Sequence, residues 1–257
     1  MRNADDGMPN GERTLRFTIQ YDGSGLVGWQ RQANGPSVQG LLENVLSTIE
    51  GSPVTVHGAG RTDAGVHAIA QVAHARVRIG HDPKTMMRAM NANLPETVRV
   101  TDVGVAADDF HARFSARAKT YEYRIWNAAV LPPFIRLYVW HVPQALDVAA
   151  MNVAADAVTG EHDFAAFQGA GTLVHSTVRR VIRAAWRDQT RDEPLTFEIS
   201  GEGFLRHMVR ALVGTMIEIG RGARAPHDIE RLIASRDRHA AGRTAPANGL
   251  FLVDVEY

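Results

Sequence analysis

Leu15-Arg16-Phe17-Thr18-Ile19-Gln20-Tyr21 alternates apolar and polar residues along its whole length. A period of two places Leu15, Phe17, Ile19 and Tyr21 on one face, so the run predicts a half-buried strand. Asp22-Gly23-Ser24-Gly25 ends it as a flexible loop. Working outward, Ser37 opens a helix in which Val38, Leu41, Leu42, Val45, Leu46 and Ile49 recur at helical spacing, and Gly51 stops it. Short strands are expected near 54–57 and 71–77, a helix near 83–92, and a strand near 98–105. The order is strand, helix, strand, strand, helix, strand.

The second half gives a similar order. Residues 119–127 read as a strand with Tyr121, Tyr123 and Ile125 on one face. A helix over 146–158 is expected to end at Gly160. Strands follow at 178–187 and 195–200. A long helix over 204–219 carries Leu205, Met208, Val209, Leu212, Val213 and Met216, a shorter one follows Pro226, and 250–257 alternates again as a last strand. The chain therefore reads as a doubled βαββαβ unit of the α+β class, with its sheet largely antiparallel. The predicted plan is a polar, disordered tail over 1–13, an N-terminal half over 14–108 and a C-terminal half over 109–257. A ligand site is expected in the cleft between the halves.

Composition narrows the function classes. Of 257 residues, 45% are hydrophobic, enough for a sizeable core. No apolar stretch approaches the roughly 20 residues of a membrane span, and the first thirteen residues lack the apolar segment of a signal peptide. With no cysteine, disulfides, thiolate metal sites and a cysteine nucleophile are excluded, and a cytoplasmic address is the plain expectation. Net charge is zero, with 28 basic and 28 acidic residues, which by itself does not suggest a nucleic-acid binder. The distribution says more. Lys84 and Lys119 are the only lysines; the other basic residues are arginines, whose planar fork matches phosphate oxygens. They cluster at Arg113, Arg117, Lys119 and Arg124, and at Arg179, Arg180, Arg183 and Arg187. Such clusters read either as solvated faces or as a local RNA footprint.

Three stretches could carry chemistry. Gly58-Ala59-Gly60-Arg61-Thr62-Asp63-Ala64-Gly65-Val66-His67-Ala68 is a glycine-rich loop between strands. Asp63 there reads either as a turn-capping residue or as a nucleophile or general base. The stretch from Asp109 to Arg124 interleaves aromatics with arginines, as do segments that follow a phosphate backbone and stack bases. Half-buried core aromatics would look the same. In Phe204–Gly214, His207 stands three residues before Arg210, so both can lie on one polar face of a helix. The histidines show no metal-ligand spacing, and no metal site is expected.

These residues resemble the tRNA pseudouridine synthase A family. The run Gly60-Arg61-Thr62-Asp63-Ala64-Gly65-Val66-His67-Ala68 is similar to the family's catalytic signature. Tyr21-Asp22-Gly23, Gly28-Trp29-Gln30 and Ser37-Val38-Gln39 match its opening, 110–121 its central block, and 204–214 its helix in the second half. Ala245-Pro246, Gly249-Leu250 and Val255-Glu256-Tyr257 match its close. The blocks keep the family's order across 14–257. Leu26 and Ala75 depart from the aromatic residues usual there.

The resemblance implies two ferredoxin-like halves around an extended sheet, and a homodimer in which one tRNA contacts both subunits. It implies isomerisation of uridine to pseudouridine at positions 38, 39 and 40 of the anticodon stem-loop. Asp63 would be the nucleophile, with Arg210 as its ion-pair partner. Tyr121 would stack on the base, its hydroxyl assisting removal of the C5 proton, and Arg61 would lie beside the flipped nucleotide. Phe110, His111, Ala112, Arg113 and Phe114 would contact RNA. No cofactor is expected, because substrate and product are isomers. Two other readings stay open: an RNA-binding module without chemistry, and a pseudouridine synthase acting on another RNA. A hydrolase would normally want a second carboxylate flanking the bond, and none is seen paired with Asp63.

Overall fold

The computed structural model describes residues 11–171 and 174–257. The expected tail falls mainly on 1–10, outside these residues. β1 (Arg13–Tyr21) begins two residues before the alternating run and buries Leu15, Phe17, Ile19 and Tyr21. α1 (Val38–Glu50) is capped by the Ser37 side chain, which accepts from the Gly40 N–H, and is ended by Gly51 at φ 67°. Such a serine cap stabilises a helix by about 1 kcal/mol.

β2 (His57–Gly58) is shorter than the expected strand. Side chains account for the difference: Ser47 accepts the Val54 N–H at 2.9 Å and the Glu43 carboxylate accepts that of Val56 at 3.1 Å. Amides taken in this way cannot also pair in a sheet. β3 (His67–Val77) is longer than expected and begins inside the glycine-rich run. α2 (Pro83–Asn93) starts behind an Asp82 cap, and β4 (Val98–Val105) closes the first half.

The second half runs β5 (Ala118–Trp126), β6 (Trp140–His141), α3 (Val148–Asp156), β7 (Gly160–Asp163), β8 (Val178–Arg187), β9 (Leu195–Gly201), α4 (Met208–Gly220), α5 (Asp228–Ser235) and β10 (Leu250–Glu256). β6 and β7 have no counterpart in the sequence reading. Gly160, expected to end the third helix, instead opens β7.

All these strands join one 10-stranded sheet with the path β4-β1-β3-β10-β5-β9-β8-β7, β2 pairing with β3 and β6 with β5. Neighbours are antiparallel except β10 with β3 and β5 with β6. The order β4-β1-β3-β2 of the first half recurs as β10-β5-β9-β8 in the second, which is the doubled ferredoxin-like topology. The seam is the parallel pair Phe251–His67 and Leu252–Ala68. Leu252 in turn stands opposite Tyr121 on β5. Tyr121 is thus level with the start of β3, where the Asp63 loop ends. Among the described residues no helix is long and apolar enough to cross a membrane.

The segment following β4 is tied to β3 through His74. Its Nδ1 accepts the Ala112 N–H at 3.1 Å, and its ring packs against those of His57, Phe110 and His111. Burial, with the neighbouring His111 and His57 imidazoles, pushes the His74 pKa down to about 4. The folded value lies below the unfolded one of about 6.5, so the stability from a neutral His74 is complete above that pH. It is lost as pH falls toward about 4, because the unfolded chain then binds the extra proton. His74→Gln should therefore lose less melting temperature than the parent chain when pH is lowered through this window, as read by thermal melts followed by circular dichroism. Equal losses would remove His74 from the acid response.

Candidate active site

The Asp63 loop joins β2 to β3 and is braced from below by the opening blocks of the chain. Trp29 donates its N–H to the Thr62 carbonyl at 3.0 Å. The Tyr21 hydroxyl pairs with Thr62 Oγ1 at 2.8 Å, and Gln71 Nε2 donates to the Gly60 carbonyl at 3.0 Å. Burial pushes the Tyr21 pKa up to about 12, so the phenol stays protonated for this bond. Gly28 has φ 97°, and a Cβ there would stand 2.6 Å from the Thr62 oxygen. Only glycine lets the 28–29 backbone lie directly on the loop. Residues 28–30 are themselves locked to α1 by Gln39, which donates its N–H to the Trp29 carbonyl and accepts from Gln30 Nε2 at 2.8 Å. The loop's own turn closes with Val66 N–H to the Asp63 carbonyl at 3.1 Å. A loop pinned at so many points can hold one carboxylate in a fixed place.

The partner comes from the other half. Arg210, in the first turn of α4, donates from Nη1 to Asp63 Oδ2 at 3.0 Å and from Nε to the Ala245 carbonyl at 2.7 Å. Ala245 returns its N–H to the Arg210 carbonyl at 3.0 Å. The 243–245 strap can cross α4 because position 214 has no side chain: a Cβ on Gly214 would lie 1.7 Å from the Arg243 oxygen. The guanidinium fork is therefore aimed by two acceptors at once. Asp63 Oδ1 has no hydrogen bond among the described residues. The carboxylate is anchored through one oxygen and open through the other. That arrangement suits a nucleophile or base facing a ligand.

From the sequence, His207 and Arg210 can lie on one polar face of a helix. α4 instead begins at Met208, and His207 caps it in the left-handed region at φ 61°. This conformation costs a non-glycine residue about 1 kcal/mol, and it turns the imidazole back so that Nε2 lies 3.5 Å from Asp63 Oδ2. Burial, then Arg210, Arg206 and Arg238, lower the His207 pKa against the opposing effect of Asp63, so the ring is neutral near pH 7. It is a dipole beside the carboxylate and not a second cation. Only its position ahead of Arg210 hinted at this in the sequence.

Tyr121 lies on β5, is 7% exposed, and meets Phe204 edge to face at 5.2 Å. A Cβ on Gly60 would be 3.8 Å from its hydroxyl, so the phenol borders the Asp63 loop. Burial first, then the charges of Tyr21 and Asp63, raise its pKa above the usual phenol range. It remains a protonated hydrogen-bonding group at neutral pH.

The expected RNA contacts divide. Arg61, Arg113 and Phe114 are exposed, and Arg113 lies over the Phe114 ring at 5.6 Å. His111 is half-buried, with its Nδ1 accepting from the N–H groups of Arg113 and Phe114. Phe110 packs on Tyr257 at 5.0 Å. Ala112 is fully buried, its N–H given to His74 and its carbonyl taken by the Tyr257 hydroxyl, which leaves it no polar group for a ligand.

A family model described as tRNA pseudouridine synthase matches residues 18–115 and 154–257, which include Asp63 and Arg210. The chain belongs to the tRNA pseudouridine synthase family. A tRNA pseudouridine synthase A of Solidesulfovibrio magneticus is 49% identical over 248 residues, 95% of this chain and 90% of that relative. The tRNA pseudouridine synthase A of Geobacillus kaustophilus is 45% identical over 246 residues, covering 95% and 94% of the two chains. That of Syntrophotalea carbinolica is 43% identical over 243 residues, covering 95% and 96%. Family membership thus rests on nearly the whole length, whereas the pairing of Asp63 with Arg210 is read from the geometry.

Arg210→Lys keeps the charge but cannot hold Asp63 and Ala245 together, because an ammonium lacks the planar fork. Pseudouridine formation by this variant should fall by about 100-fold in kcat, the usual scale for a misplaced reacting group. Single-turnover assays would read it, and a rate within a few-fold of the parent would mean that charge alone suffices.

Proposed function

We propose that this chain isomerises uridine to pseudouridine at positions 38, 39 and 40 of the tRNA anticodon stem-loop, with Asp63 as the nucleophile. The observation that carries the assignment is the ion pair between Asp63 of one half and Arg210 of the other, 147 residues apart, with Oδ1 left open.

The reaction breaks the bond from sugar C1′ to base N1 and makes one from C1′ to C5. A proton leaves C5 and one is taken up at N1, so atoms balance without an oxidant or co-substrate. Three routes are compatible with Asp63: attack on the sugar, attack on the base, or removal of a sugar proton. Each uses the free Oδ1 while Arg210 holds Oδ2 and the neutral His207 ring lies beside it. The detached base must turn without escaping. Tyr121 would stack on it, and its protonated hydroxyl suits hydrogen bonding to the base better than proton removal, since a phenol must first give its own proton away. The uridine has to leave the helical stem, at a cost of a few kcal/mol. Phosphate contacts from the exposed Arg61 and Arg113 would offset it, with Phe114 and His111 as neighbouring stacking surfaces.

The first half, 14–108, would supply the carboxylate of Asp63 and the second, 109–257, the guanidinium of Arg210, which is why neither would act alone. A homodimer would let one tRNA lie across two subunits, and a cytoplasmic setting follows from a tRNA substrate.

Asp63→Asn should bind tRNA with near-parental affinity yet release no tritium from tRNA carrying 5-tritiated uridine. Tritium release within tenfold of the parent would remove Asp63 from the chemistry. Tyr121→Phe should bind normally and turn over more slowly; an unchanged rate would reduce the hydroxyl to packing. Mapping pseudouridine in tRNA and other RNA after treatment with the purified chain decides the positions.

A further inference from the structure

Two residues before Tyr121, β5 carries Lys119, and the pleat points both side chains to the same side. Lys119 is only 9% exposed and sits in register between Gly201 of β9 and Val255 of β10. Its stem runs along the Asp63 loop: a Cβ on Gly60 would lie 3.5 Å from Lys119 Cε, 3.6 Å from its Cδ and 3.8 Å from the Tyr121 hydroxyl. The lysine and the tyrosine therefore flank the same glycine, three residues before Asp63.

What sets Lys119 apart is its lack of a counter-charge. Among the described residues it has neither an ion pair nor a hydrogen bond to Nζ. The charge that acts on it is Arg113, another cation. A buried ammonium beside a guanidinium is costly unless an anion compensates. Among the described residues Nζ is not one of the fully buried side-chain nitrogens, so it keeps some contact with solvent. Arginine supplies all but two of the chain's basic residues, and here a compact point charge stands in its place.

RNA's anionic groups are its phosphates. We propose that Lys119, assisted by Arg113, binds a backbone phosphate flanking the reacting uridine and so holds the flipped nucleotide between Tyr121 and Asp63. The proposal rests on the reading of this site as an RNA uridine isomerase. It makes Lys119 a substrate-binding residue whose anion arrives with the substrate. Burial lowers its pKa, and a bound phosphate would favour the charged form.

The test uses full-length protein carrying Asp63→Asn, so that binding is measured without turnover. Anticodon stem-loop RNA is titrated over a series of KCl concentrations. Adding Lys119→Met should weaken binding about tenfold at fixed salt and lower the slope of log affinity against log salt by about one phosphate contact. Lys119→Arg should keep the slope. A stem-loop with one neutral methylphosphonate beside the target uridine should lose the same tenfold against the lysine protein and nothing further against Lys119→Met.

In the background with Asp63 intact, Lys119→Met should raise KM with kcat held within about threefold. An unchanged salt slope, or equal losses from methylphosphonates beside and far from the uridine, would overturn the proposal. A fall in kcat with binding intact would make Lys119 a proton carrier instead. Tritium release by the unmodified chain is scored separately. Its absence would sink the isomerase reading while the salt slope still reports whether Lys119 meets a phosphate.

Discussion

Two short strand segments run parallel at the middle of the sheet, and the active centre depends on them. His67 and Ala68 of β3 stand beside Phe251 and Leu252 of β10. Parallel neighbours cannot be joined by a tight turn, so this contact must be made between distant parts of the chain. It sets the register of the whole second half against the first. A slip of one residue would turn Leu252 from the core to the opposite face and carry Tyr121 out of line with the Asp63 loop. The aromatic stack of His67 on Phe251 at 4.6 Å and the buried Leu252 secure the register on both faces of the sheet.

Apolar burial, more than charge, stabilises the sheet. A partly exposed ion pair contributes on the order of 1 kcal/mol, whereas each fully buried Leu, Ile or Phe contributes about 1.5–3 kcal/mol. Leu252, Tyr123, Ile125 and Phe197 are all fully buried along the second half of the sheet. The Asp63–Arg210 pair is thus free to serve geometry. Its surroundings carry costs that stability alone would not select: a left-handed His207, a strap laid across α4 at Gly214, and a largely buried lysine with no counter-charge among the described residues. Strain and uncompensated charge collected around one carboxylate are expected where a site is organised for a ligand that brings the missing interactions.

Much of the fold was legible in the sequence because periodicity reports which face of an element is buried. β1, α1, α2, β4, β8 and β10 lie close to where alternation, caps and helical spacing put them. The departures have local causes. β2 is cut short because Ser47 and Glu43 take the amides that a longer strand would need, and no periodicity records such side-chain capture. α4 starts late because His207 turns out of the helix, and its apolar neighbours read as helical either way. In the central block, aromatics and arginines alternate, yet Phe110 and Ala112 face protein while Arg113 and Phe114 face solvent. Composition could not separate them, since an aromatic side chain satisfies both environments.

The sequence by itself determined the doubled order of strands and helices, the glycine-rich loop that carries Asp63, and the family. Each of these is written in short-range pattern or in motif order. Only the tertiary structure decided that Asp63 and Arg210 meet at 3.0 Å, that His207 joins them, and that Lys119 and Tyr121 border the same glycine of the Asp63 loop. The reason is physical. A contact between residues 147 apart is set by the register of the β3–β10 seam and by the packing of the strap on α4. Neither is encoded at any one position of the chain.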